Sequence, residues 1–189
     1  MKQKEREKKG FFDRNFKDLF FSEIVSLLGG LIAGTVLAIY TDQILLIPGI
    51  FILLPGFLEM RGNISGSFAS RLSSGLFLGV IKPKAKKFTS LIKGNIFASF
   101  FLAVMVSFAL GVIAFFFNYF LLHTFTPKLL LIPVVAGIIA NAIEIPLALF
   151  FTIYLFKKGH DPNNIMGPFL TSTGDITSVV ALLAALVIL

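Results

Sequence analysis

One polar stretch, residues 54–79 (LPGFLEMRGNISGSFASRLSSGLFLG), limits what this chain can fold into. Glu59, Arg61, Asn63, Ser65, Ser67, Ser70, Arg71, Ser73 and Ser74 crowd its middle, while the segments on either side are apolar enough to lie only in lipid. Charged and amide side chains at that depth cost free energy unless they meet a partner or face a water-filled path, so they mark a functional region by default. Composition agrees: 56% of the 189 residues are apolar and 23 are Phe. No soluble domain of this length needs so much apolar surface, and an unbroken lipid phase admits helices, so the expected class is an all-α integral membrane protein.

The absence of Cys removes thiolate ligands and thiol nucleophiles. The first residues are a charged tail without the short apolar core of a cleavable signal. A net charge of +7 invites a nucleic-acid reading, which the distribution rejects. Lys2, Lys4, Arg6, Lys8, Lys9, Arg14 and Lys17 lie in the tail. The run 82–93 and the pair Lys157–Lys158 hold most of the rest. All three groups belong to loops on one side of a membrane, and the positive-inside asymmetry makes that side cytoplasmic.

Taken in order, residues 1–19 read as a cytoplasmic basic tail ending in a short amphipathic helix, with Phe12, Phe16 and Leu19 on one face. An extension of the first span is the plainer alternative. Residues 20–189 read as five transmembrane helices. The first covers about 21–40, with Gly29, Gly30, Ala33 and Gly34 allowing another helix close approach. The second, about 44–81, is too long for one straight crossing and is expected to be broken at Pro48, Pro55, Gly56, Gly62 and Gly66. The third covers about 95–119. The fourth, about 129–156, is interrupted by Pro133, Gly137, Asn141, Glu144 and Pro146, and the fifth is about 165–189. The C-terminus then lies outside the cell membrane.

Two sets of residues carry the chemistry. In the second segment, Glu59, Asn63, Ser67, Ser70 and Ser74 recur every three or four residues and form one wet or paired face. In the fifth, Asp175 lies ten residues past Ile165, about 15 Å along a helix and close to the membrane midplane, among Thr171, Ser172, Thr173, Gly174, Thr177 and Ser178. A buried pairing of Asp175 with Arg61 or Arg71 is the bland alternative to a wet path. Asn141 and Glu144, three apart, share a face and serve either as lining or as interhelical hydrogen bonds. Carboxylate, amide, hydroxyl and carbonyl oxygens suit Mg²⁺ or Ca²⁺. No nucleophile–base pair, phosphate loop or zinc spacing supports an enzyme.

PGFLEMRGNISGSFASRLSSGLFLG and DPNNIMGPFLTSTGDIT, in that order, resemble the two signature stretches of the MgtE-like magnesium transporters, most closely the solute carrier family 41 branch. The resemblance implies a five-helix domain that pairs with a second copy, with the ion path along the dimer axis between the second and fifth helices. Asp175 would hold a hydrated Mg²⁺, with Thr171, Glu59 and Asn63 also facing the metal. Gly62, Ser67, Ser70, Asn141, Glu144 and Gly174 would line the path, and Asp161 and Asn164 would stand at its cytoplasmic entrance. Bacterial members carry cytoplasmic Mg²⁺-sensing domains that the short tail here does not resemble. Eukaryotic-type members hold two such repeats, so this single repeat is expected to form a homodimer, or a heterodimer with a sister chain.

The expected function is therefore divalent cation transport, with Mg²⁺ as the transported ion, no organic cofactor, lipid as the surrounding partner and no nucleic acid. A Na⁺- or H⁺-coupled exchanger is the first alternative. A non-transporting membrane subunit is the second, and it requires the polar stripe to be wholly paired with neighbouring helices.

Overall fold

The computed structural model describes residues 14–83 and 89–189. The chain runs α1 (Arg14–Ile39), α2 (Thr41–Leu45), α3 (Ile50–Phe77), α4 (Ser90–Leu122), a 3₁₀ turn (Pro127–Leu130), α5 (Ile132–Lys157) and α6 (Pro162–Ile188). The described residues contain no strand. Residues 1–13, including Phe12 of the expected amphipathic face, and 84–88 of the basic loop lie outside the described part.

Among the described residues four helical stretches are long and apolar enough to cross a membrane: α1, α4, α5 with the turn before it, and α6. This is a multi-pass membrane protein. At 28 residues α3 has the length as well, but its polar stripe keeps it below the hydropathy of the other four. The separate amphipathic helix is not seen as such. Residues 14–20 continue into the first span as one helix of 26 residues.

Local sequence explains the ends. Asp161 caps α6, its Oδ1 accepting from the Asn163 backbone N–H at 2.9 Å, and Pro162 fills the first helical position, where a missing N–H costs nothing. The helix therefore starts three residues earlier than expected. Thr89 caps α4 by accepting from Ile92 N–H at 3.4 Å, which draws Lys93 into the helix. Gly49 takes φ 84 at the start of α3, and a Cβ there would fall 2.3 Å from Asn118 Oδ1, so the position needs glycine twice over.

The second segment breaks once, around Pro48 and Gly49. Pro55, Gly56, Gly62 and Gly66 all lie within the continuous helix α3. Likewise α5 runs unbroken through Gly137, Asn141, Glu144 and Pro146, and α6 through Pro168. The physical reason is the medium: without water to take over freed backbone groups, a helix keeps its remaining hydrogen bonds. A proline then removes one donor without ending the element.

Helices α3, α4, α5 and α6 form the bundle, and α1 packs on α6. Gly29 gives the closest approach there, since a Cβ would meet that of Ser172 at 2.3 Å. Gly30 and Gly34 face open space instead. The interior has two apolar clusters. One gathers Phe57, Ile64, Ile132, Ala140 and Leu182. The other gathers Phe68, Leu72, Ile145, Leu149 and Leu170. Between them, on α3, α4 and α5, lie the fully buried Arg61, Ser65, Ser99, Asn141 and Glu144. Polar groups form a layer between two greasy ones.

Candidate functional site

Helical spacing sorts the polar residues of α3 onto two faces. Glu59, Asn63, Ser67, Ser70 and Ser74 are exposed, as their three- and four-residue spacing predicts. Arg61, Ser65 and Ser73 point into the bundle and are buried. The exposed stripe bonds little within the chain: Asn63 Nδ2 lies 3.4 Å from Glu59 Oε1.

Opposite the stripe, α6 presents Gly167, Thr171 and Asp175 at four-residue steps. Together the two helices border a groove of about 350 Å³ containing Glu59, Asn63, Thr171 and Asp175. Gly62, Gly66 and Gly167 give it width, because no side chain from them fills it. The volume equals that of roughly ten waters, enough for a Mg²⁺ that keeps much of its octahedral water shell. Residues more than a hundred positions apart in sequence are thus brought to one site.

Asp175 stands midway between the helix ends Pro162 and Ile188, about 20 Å from each. It is half-buried, and it makes no hydrogen bond or ion pair with any described residue. Neither arginine takes it. Arg71 Nε donates to Asn95 Oδ1 at 2.8 Å, and Arg61 Nη1 donates to Asn141 Oδ1. Thr171 donates its hydroxyl to the Gly167 carbonyl at 3.1 Å, which leaves the oxygen lone pairs free toward the groove. Hard oxygen atoms from four side chains face one space, and among the described residues no basic group pairs with them.

The remaining expected residues are placed elsewhere. Ser67 borders a second groove of about 370 Å³, between α3 and α4, where Arg71 also sits. Ser70 is exposed on α3 and borders neither groove. Asn141 and Glu144 do not line the groove. Both are fully buried in the interior layer, because their face of α5 is turned to α3 and α6. Asn141 Nδ2 donates to the Ser99 carbonyl at 2.9 Å, and Glu144 Oε1 accepts from Thr177 at 3.1 Å. Gly174 is buried behind the groove, where a Cβ would stand 3.8 Å from Glu144 Oε2.

Asp161 and Asn164 lie at the far end of α6, about 20 Å from Asp175 along the helix. The Asn164 carbonyl accepts from Ser22 on α1 at 3.2 Å, beside a His160 Nδ1–Asp18 Oδ2 contact of 2.9 Å. Sequence reasoning missed that contact, and also the buried partners of Arg61. A deep arginine with no acid at three or four residues' distance was the signal for the second; nothing local signals the first.

Comparison with known proteins adds two findings. The family model MgtE, described as divalent cation transporter, matches residues 54–185. Solute carrier family 41 member 2 of Gallus gallus is 28% identical over 160 residues, which cover 82% of this chain and 28% of that protein. The chain thus spans less than a third of that relative's length.

Proposed function

The chain belongs to the MgtE family of divalent cation transporters, and from that premise we propose that it carries Mg²⁺, or a divalent cation of similar chemistry, along the groove between α3 and α6. The family is one of transporters, not of enzymes. One observation carries the reading: an acidic side chain at the midpoint of an apolar helix, without a partner among the described residues, in a groove it shares with Glu59, Asn63 and Thr171. A carboxylate at that depth costs about 2.5–3.5 kcal/mol on insertion scales. A passing divalent cation offsets that cost.

In this reading α3 is a fifth crossing, packed among α4, α5 and α6. The basic tail and inner loops put the N-terminus in the cytoplasm and the C-terminus outside the cell membrane. A second copy of the chain, or a sister repeat, covers the exposed stripe of Glu59, Asn63, Ser67 and Ser70 and brings a second Asp175 to the same axis. Two carboxylates there balance a divalent charge without an all-protein cage, which suits an ion that gives up its waters reluctantly. Asp161 and Asn164 stand at the cytoplasmic mouth.

The test is uptake of Mg²⁺ into vesicles containing the purified protein. Asp175→Asn should reduce uptake by more than tenfold while the protein remains folded and assembled. Uptake equal to that of the unsubstituted protein would remove Asp175 and its groove from the path.

A further inference from the structure

The interior layer holds a pair of opposite charges that the proposed path does not use. Arg61 on α3 and Glu144 on α5 are both fully buried. They are not in direct contact: among the described residues the one ion pair within 4.0 Å is His160–Asp18. Arg61 Nε and Nη2 and Glu144 Oε2 make no hydrogen bond to any described residue. Arg61 Nη1 is bonded to Asn141, one turn before Glu144 on the same face of α5, so the two charges share one interior layer.

On its other side Glu144 reaches α6. Thr177 holds Oε1 at 3.1 Å, and Oε2 lies behind Gly174. Asp175 is the next residue along α6 and borders the groove. Two adjacent positions on one helix thus separate a carboxylate that serves the interior from one that serves the groove. Without Glu144, the Arg61 guanidinium would be an unbalanced positive charge in a low-dielectric core close to the groove, competing with any cation for the field of Asp175 and Glu59.

We infer that Glu144 is a positioning residue, balancing Arg61 inside the core so that the Asp175 carboxylate stays uncompensated and available to a divalent cation. The inference rests on the reading of the α3–α6 groove as a cation path. It differs from a purely structural role for the pair in one respect: the two single neutralisations should move cation affinity in opposite directions. A unit charge about 10 Å from a divalent ion, with the water of the groove raising the effective dielectric to about 40, changes an equilibrium constant on the order of tenfold.

The experiment measures the Mg²⁺ concentration that gives half-maximal thermal stabilisation of the detergent-purified protein, which reports binding without requiring flux. Glu144→Gln should raise it about tenfold. Arg61→Gln should lower it, and the Arg61→Gln/Glu144→Gln double variant should return it near the original value. If a single variant does not accumulate, the double variant decides, since it carries no unbalanced charge. A double variant that folds with a tenfold weaker Mg²⁺ response overturns the inference, as do two single variants that shift the same way. If the unsubstituted protein shows no Mg²⁺ response, the cation-path reading itself falls, and the inference with it.

Discussion

Arg61 and Asp175 are both ionisable residues near the middle of long helices, and the protein treats them in opposite ways. Arg61 is fully enclosed and bonded to Asn141, one turn from the equally enclosed Glu144. Asp175 borders an open groove and has no partner among the described residues. An enclosed charge must be balanced by the protein, or the fold loses the several kcal/mol that stranding it costs. A charge left open can be balanced by something that comes and goes. In the proposed reading the interior layer therefore belongs to stability and the groove to transport, although α3 supplies residues to both.

That contrast can be broken at several points. The largest effect is expected from Arg61→Ala, which strands Glu144 and Asn141 and should cost about 3–5 kcal/mol in unfolding from detergent. A cost below about 1 kcal/mol would mean that the layer is not what holds the bundle. Asn141→Ala removes bonds to Arg61 and to the Ser99 carbonyl and should cost about 1–2 kcal/mol by the same measurement. Gly62→Ala sharpens the comparison because its two readouts should diverge. A Cβ there meets nothing within 4 Å, so helix stability should rise by up to about 1 kcal/mol. Mg²⁺ uptake should nevertheless fall severalfold as the groove narrows. The smallest change in stability is expected for Asp175→Asn, within about 0.5 kcal/mol, because no contact is lost. A drop as large as that of Arg61→Ala would show that Asp175 has a structural partner after all.

The exposed stripe of α3 was legible in the sequence because polar residues at three- and four-residue spacing against an apolar background leave one helix face to choose. Asp175 was legible for the same reason. Its meeting with Glu59 and Asn63 came through the family resemblance, since nothing in their spacing joins residues so far apart. Asn141 and Glu144 were harder. Their spacing puts them on one face of α5, but every face of that helix is apolar, and only the position of Arg61 decides which one is buried. The proline and glycine positions misled, because breaks that water would reward are suppressed where no water competes for the backbone. The contact between His160 and Asp18 joins residues 142 apart and leaves no local trace.

The attachment of α1 to α6 bears on how the molecule is made. Among the described helices α1 finds its main packing surface on α6, with α3, α4 and α5 synthesised in between. Until α6 is in place α1 has little of this chain to pack against, its Gly29 notch waiting for Ser172. Assembly cannot proceed by adding each helix to its predecessor. It closes as a ring closes, when α6 reaches α1.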